Sequence, residues 1–224
     1  MLILGVVGQI ASGKGILVNY LTRHLGFTSF SLSSIVHEEL KKREIKKFDR
    51  TILQNIGDKL RKKEGDDVLA RRTMEAIQTI ENRRSKAGVE DRWSKIDHQS
   101  SNFYPQPLSS TFHHPSSIII DGIRNPAEIE FFKKNQNFVL IGVKAKRELR
   151  YQRLISRNKK WDPKNYEDFL KVDRRDLGIG QNKSGQQVGK CLAYCDYTLK
   201  NNKDLKDFQR KVEKLMGKLL IIKS

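Results

Sequence analysis

Cysteine is nearly missing from this chain. Only Cys191 and Cys195 occur in 224 residues, so no disulfide framework can hold the fold, and a reducing cytoplasm is the expected setting. Neither cysteine has sequence neighbours that would complete a zinc site. No apolar run approaches the ~20 residues of a membrane helix. Met1 leads straight into an apolar segment, with neither the basic stretch nor the small-residue cleavage site of a secretory leader, so a cytoplasmic protein without a membrane segment is expected. Acidic residues are also short, 26 Asp and Glu against 44 Lys and Arg, for a net charge of +18. That imbalance favours polyanionic partners, either nucleotide phosphates or nucleic acid, with a merely solvated basic surface as the plainer alternative. Aromatic residues reach only 8% and no nucleic-acid motif is visible, so nucleic acid is possible but not favoured.

What is present begins at residue 8. Gly8-Gln9-Ile10-Ala11-Ser12-Gly13-Lys14-Gly15 fits seven of the eight positions of G-x-x-x-x-G-K-[ST], the phosphate-binding P-loop. Residues 2–7 before it have strand composition, and 16–25 after it carry apolar residues at helical spacing. The glycines let the backbone turn tightly and aim several N–H groups at one anion, and the following helix points its positive end at the same place. Gly8, Ala11, Ser12, Gly13, Lys14, Gly15 and Ile16 are the expected nucleotide-holding positions, with Lys14 reaching the β- and γ-phosphates. The alternative is a glycine-rich strand-to-helix turn bearing a surface lysine; the flanking strand and helix favour the phosphate loop. The eighth position departs from the pattern: Gly15 stands where a Mg²⁺-binding hydroxyl is usual, and Ile16 supplies none.

The length suits one α/β domain spanning 1–224. A second strand is expected at 27–32. Ser33 or Ser34 is expected to cap a helix from 35 to about 43, with Glu38 and Glu39 in its first turns. Further helices are expected over 51–60 and, after Gly65, from Asp66-Asp67 to about residue 82, so that 33–82 forms a helical region. Residues 83–117 hold three of the five prolines and three of the five histidines without periodicity and read as an insertion at the strands' amino edge, away from where such sheets bind ligands. His98, His113 and His114 could bind metal, but histidines scattered in a polar loop are more often solvated.

Ile118-Ile119-Ile120 is a short β-branched run that delivers Asp121 to the carboxyl edge of a parallel sheet. Gly122-Ile123-Arg124 follows, then Asn125-Pro126 opens a helix. Another strand is expected at 138–143 and a helix over 146–157, whose Arg150, Arg153 and Arg157 share a face. That face reads either as solvated surface or as a clamp for phosphate oxygens, and beside a P-loop the clamp is favoured for Arg153 and Arg157. The polar, glycine-punctuated stretch 158–190, helical near 166–175, suits a mobile lid. A last strand at 196–199 and an amphipathic helix at 204–220 complete a parallel sheet of about five strands covered by helices on both faces, a three-layer α/β/α arrangement.

Taken together these pieces resemble the nucleoside-monophosphate-kinase branch of P-loop proteins, and most of all its kinases related to adenylate kinase and dephospho-CoA kinase. The residues that carry the resemblance are the P-loop itself, Leu53-Gln54-Asn55-Ile56-Gly57-Asp58-Lys59-Leu60-Arg61, the Asp121-Gly122-Ile123-Arg124 turn, the Arg153…Arg157 pair, Asp173-Arg174-Arg175 and Asp196-Tyr197-Thr198-Leu199-Lys200-Asn201. The resemblance implies ATP and Mg²⁺ as cofactors and a small nucleotide as phosphate acceptor. It assigns Asp121 to the metal, held through water, and His37, Arg61 and Arg124 to the acceptor. Lys14, Arg124, Arg153 and Arg157 would be the catalytic cations, with Arg174 or Arg175 a further lid arginine. His37 stands in a stretch, Ser33 to His37, where an aspartate and an arginine are common in that branch. The activity implied is transfer of the γ-phosphoryl group of ATP to a nucleoside monophosphate or related nucleotide. Dephospho-CoA kinase is one alternative, and a P-loop ATPase or nucleotide switch acting on a macromolecule is another.

Overall fold

The structure is a computed structural model, which describes residues 2–87 and 117–222. Five parallel strands form one sheet: β1 (Ile3–Val7), β2 (Thr28–Ser31), β3 (Ile118–Asp121), β4 (Phe138–Lys144) and β5 (Tyr197–Lys200). Their spatial order is β2-β3-β1-β4-β5. The register pairs Ile3 with Ile118 on one side of β1 and with Phe138 on the other. Strands of a parallel sheet are buried on both faces and so read as continuous apolar runs. In β1 the alternation of side chains sends Ile3 and Val7 to one core, and Leu4 and Val6 to the other.

The first core lies under α2 (Leu32–Lys42), α3 (Arg50–Glu64), α4 (Val68–Ala87), α5 (Pro126–Lys133) and the short α8 (Val188–Cys191). The second lies under α1 (Lys14–Leu25) and the C-terminal α9 (Leu205–Ile222). A third, smaller cluster packs Leu154 of α6 (Arg147–Arg157) and Phe169 and Val172 of α7 (Tyr166–Leu177) against Ile10 of the glycine loop. Gly5 has a packing reason, because a Cβ there would run into the Phe138 ring at 2.6 Å. Among the described residues no helix is long and apolar enough to cross a membrane.

Several boundaries differ from those expected. α2 begins at Leu32, so Ser33 and Ser34 lie inside its first turn; the Ser31 at its cap makes no side-chain cap bond, and no acid stands in the first turn. α4 runs on to Ala87, five residues past the expected end. Most of the expected insertion, residues 88–116 with His98, His113 and His114, lies outside the described residues. The expected lid, 158–190, contains two helices, and α7 buries Phe169 and Asp173 completely. Gln187 donates its amide to the Arg124 carbonyl at 2.7 Å. Between α6 and α7 only 158–165 is left outside helix.

Candidate active site

The glycine loop joins the carboxyl end of β1 to α1. Gly13 adopts φ 105° and Ala11 φ 57°, conformations in the left-handed region that glycine enters freely and other residues enter at a cost. A Cβ at Gly13 would collide with the Asn201 side-chain amide, and one at Gly8 with the Val143 carbonyl. The loop therefore fits closely against β4 and the residue after β5, and Asn201 Nδ2 donates to the Ser12 carbonyl at 3.0 Å. The first amides of α1 have no carbonyl within the helix to bond, and no side chain caps them. Lys14, the first residue of α1, folds back and donates to the carbonyls of Gly8 at 2.6 Å and Gln9 at 3.1 Å. Burial brings its pKa down to about 8; Asp121 and Asp176 act upward on it, Arg124 and Arg157 downward.

Those four charged neighbours mark out the candidate site. Asp121 closes β3 and accepts the Gly122 amide at 2.7 Å. Arg124 sits just before α5, where Asn125 and Glu128 form a capping box and Glu128 also accepts the Arg124 amide at 2.7 Å. Its guanidinium donates to Asp176 of α7, whose second oxygen accepts the Ile10 amide of the glycine loop at 3.2 Å. Arg157 ends α6 and donates twice to Asp162, at 2.7 and 3.1 Å.

Three participants were missed in the sequence. Arg50, at the start of α3, donates at 2.8 Å to Asp162 Oδ1, the oxygen that also accepts from Arg157 Nη2. Its side chain is 18% exposed and its Nε has no partner. Burial lowers its pKa, Arg124 and Arg157 add repulsion, and Asp162 acts against both. Asp162 and Asp176 are the other two, each with a side chain only 1% exposed. Asp49 was the available signal for Arg50: it caps α3 by accepting the Ile52 amide, which puts Arg50 at the helix's first position. Lys159 also faces this group, with burial and Arg157 lowering its pKa while Asp162 and Asp121 raise it. Five cations thus meet three carboxylates, Asp121, Asp162 and Asp176, an excess suited to anions.

Of the expected site residues, Lys14, Asp121, Arg124 and Arg157 are brought together. Arg153 is turned toward the end of β5, where it donates to the Asn201 carbonyl at 3.0 Å and the Lys203 carbonyl at 3.5 Å. His37 lies among the rings of Phe48 and Trp161, and burial with Arg50, Lys41 and Lys159 nearby lowers its pKa. Arg61 is not in the candidate site. It is 1% exposed inside the first core, with its guanidinium on Glu128 at 2.8 Å. The expectation for it is corrected, because a fully buried charge has to be paired, and Glu128 of α5 takes that pairing. Arg175 ties α7 to α3 through Asn55 and Asp58, while Arg174 is exposed.

The resemblance implies ATP and Mg²⁺, and the residues present bear on each. The N-terminal end of α1 and the Lys14 ammonium suit a polyphosphate, although the Ile16 amide donates to the Gly13 carbonyl at 3.0 Å. For a metal, no three His, Cys, Asp or Glu side chains gather among the described residues, and Gly15 and Ile16 bring no hydroxyl. Asp121 remains, and one carboxylate suits Mg²⁺, which keeps water and phosphate oxygens as its other ligands.

A strand, glycine loop and lysine-headed helix within a parallel sheet ordered 2-3-1-4-5 define a P-loop protein of kinase-like fold. In sequence the chain is similar to UPF0200 protein PH1008 of Pyrococcus horikoshii, 27% identical over 222 residues and 98% of each chain. A UPF0200 protein of Sulfurisphaera tokodaii is 28% identical over 218 residues, 97% of each. No protein-family model matches the chain. Among solved structures, TT1252 from Thermus thermophilus shares the fold at a TM-score of 0.52 and 17% identity, covering 97% of both chains. Looser overlaps, at TM-scores of 0.45 and 0.40, are with shikimate kinase from Aquifex aeolicus and dephospho-CoA kinase from Campylobacter jejuni, 12% and 18% identical.

Proposed function

We propose that this protein is an ATP-dependent phosphotransferase of nucleotide-kinase type, moving the γ-phosphoryl group to a nucleoside monophosphate or related small nucleotide. The observation that carries this reading is the gathering of Lys14, Arg124 and Arg157 with Asp121 beside the glycine loop. Such transfer asks the protein for little covalent chemistry, so positioning and charge stabilisation do most of the work. The backbone from Gly8 through Ala11, Ser12 and Gly13 to Gly15 and Ile16 cradles the donor phosphates, and Lys14 leaves its loop carbonyls to bind them. Arg124, with Arg50 beside it, aligns the acceptor's anion in line with the donor. Arg157 stabilises charge on the transferring group, and His37 lines the acceptor side. Mg²⁺, held through water by Asp121, would neutralise the β- and γ-phosphate oxygens. An acceptor that is already a phosphate needs no general base. The free thiols of Cys191 and Cys195 support a cytoplasmic setting.

The test is phosphate transfer from labelled ATP with Mg²⁺ to ribo- and deoxynucleoside monophosphates and to dephospho-CoA, beside a control without acceptor. A labelled product with one acceptor class is expected. Release of free phosphate at the same rate whatever the acceptor would replace this reading with an ATPase or nucleotide switch.

A further inference from the structure

Two adjacent side chains of the 158–165 segment, Trp161 and Asp162, meet groups of the candidate site. Trp161 stacks on Phe48, ring centroids 5.9 Å apart and planes 26° from parallel, and meets His37 at 6.1 Å. His37 and Phe48 meet each other edge to face at 5.7 Å. The next side chain, Asp162, is 1% exposed and takes hydrogen bonds from Arg50 and Arg157. One dipeptide therefore presents a planar ring and a neighbouring anion, each held by groups that would hold a ligand of the same kind. The fit of the anion is incomplete. Arg50 keeps an unpartnered buried Nε, and Lys159, 5.5 Å from the indole, adds a third cation to a single carboxylate. A phosphate has more oxygens and more charge than a carboxylate and would occupy the donors left over.

We infer that Trp161 and Asp162 occupy the acceptor's own subsite, and that the acceptor which displaces them is a planar heterocycle bearing a phosphate. The phosphate takes the place of Asp162 on Arg50, and the heterocycle takes the place of the indole against Phe48 and His37. Displacement also releases Arg157 for the donor's γ-phosphate, so the site is completed only when an acceptor is present. The inference rests on the phosphotransferase reading for what happens next, but not for binding.

The test uses the full chain carrying Trp93→Phe, which leaves Trp161 as its one tryptophan. It is titrated, without ATP or metal, with AMP, CMP, ribose 5-phosphate and inorganic phosphate while Trp161 emission is followed. Expected are a red shift as the indole moves into water and tighter binding of AMP or CMP than of ribose 5-phosphate, by about tenfold or more, since base–aromatic stacking alone supports that difference. Asp162→Asn is expected to tighten nucleotide binding by roughly tenfold, because a self-occupied site binds more weakly in proportion to its occupancy. In the otherwise unsubstituted chain, Trp161→Ala, read by calorimetry, should act in the same direction. Weaker binding in both variants would make the dipeptide part of the binding wall and overturn the inference. Equal affinity for AMP, CMP and ribose 5-phosphate, or no emission change with any probe, would overturn it too. Displacement without phosphotransfer would instead sink the kinase reading and leave this one standing.

Discussion

Asp176 binds Arg124 with one carboxylate oxygen, at 2.5 Å, and the Ile10 amide of the glycine loop with the other, at 3.2 Å. One side chain of α7 thus fixes both Arg124 and the glycine loop. The same helix holds Arg150 through a two-point contact with Asp173, and Arg150 reaches the Ile10 carbonyl at 3.4 Å. α7 is therefore a brace for the phosphate loop.

Asp176→Asn separates these two duties. An amide of the same shape has one acceptor oxygen, while two donors face the carboxylate, so one of them must lose its partner. The expected loss is about 1–3 kcal/mol of stability, the cost of an unpaired buried donor, with a fall in transfer rate as Arg124 or the loop is freed. Urea denaturation read beside the transfer assay checks this. An unchanged midpoint would show that the contact carries no weight.

Lys14 ties nucleotide binding to pH. Its folded-state pKa, about 8, lies below the ordinary 10.5, so the unfolded chain holds one more proton between those values. Stability without nucleotide added should rise with pH across that window and be flat in this respect below it. ATP binding works in the opposite sense, because the phosphates require the ammonium form. Affinity should fall as pH rises above about 8, and binding there should take up a proton. Calorimetry at pH 9 in buffers of different ionisation enthalpy measures that uptake directly. The Lys14→Met variant should show none of it.

The strands, the glycine loop, Asp121 and Arg124 were legible in the sequence because each is a local pattern: an apolar run, a spacing, or a charged residue just past a strand's end. Arg61 was not. Its partner Glu128 lies 67 residues away in sequence, and helical spacing cannot distinguish a buried ion pair from a ligand contact. Arg50 was lost to a boundary read one residue late, which left it in a loop. The shared face of Arg150, Arg153 and Arg157 was correctly spaced, yet tertiary packing divides it among Asp173, Asn201 and Asp162. Asp162 and Asp176 lay in a polar stretch without long periodicity, and nothing local in it signals the ion pairs they make with Arg50, Arg157 and Arg124.

Arg61→Ala should be among the most destabilising single changes outside the hydrophobic core. It leaves Glu128, fully buried, with a charge and no cation, and breaking such a pair costs about 3–5 kcal/mol. Glu128 also accepts the amides of Arg124 and Asn125, so the acceptor arginine should shift as well. In the double variant Arg61→Met with Glu128→Gln, the amide oxygen can still accept from that turn and no charge is stranded. The denaturation midpoint of the double variant should lie well above that of Arg61→Ala; a lower one would mean that the arginine itself, not the stranded carboxylate, sets the cost.

Two glycines of the loop, two residues apart, should respond in opposite ways. Gly13 needs to be glycine on both counts, with φ 105° and no room for a Cβ against Asn201, so Gly13→Ala should abolish nucleotide binding. Gly15 lies inside α1 with nothing within 4 Å of where its Cβ would be. Neither space nor backbone demands a glycine there, and replacing one within a helix gains a few tenths of a kcal/mol. Gly15→Thr should therefore fold at least as well, and it puts a hydroxyl where phosphate loops of this pattern usually offer one to magnesium. The expected result is a lower Mg²⁺ concentration for half-maximal transfer, with ATP affinity in the absence of metal unchanged. Loss of ATP binding in Gly15→Thr would mean that the donor phosphate itself fills the open space beside Gly15, and that the missing side chain serves the nucleotide rather than the metal.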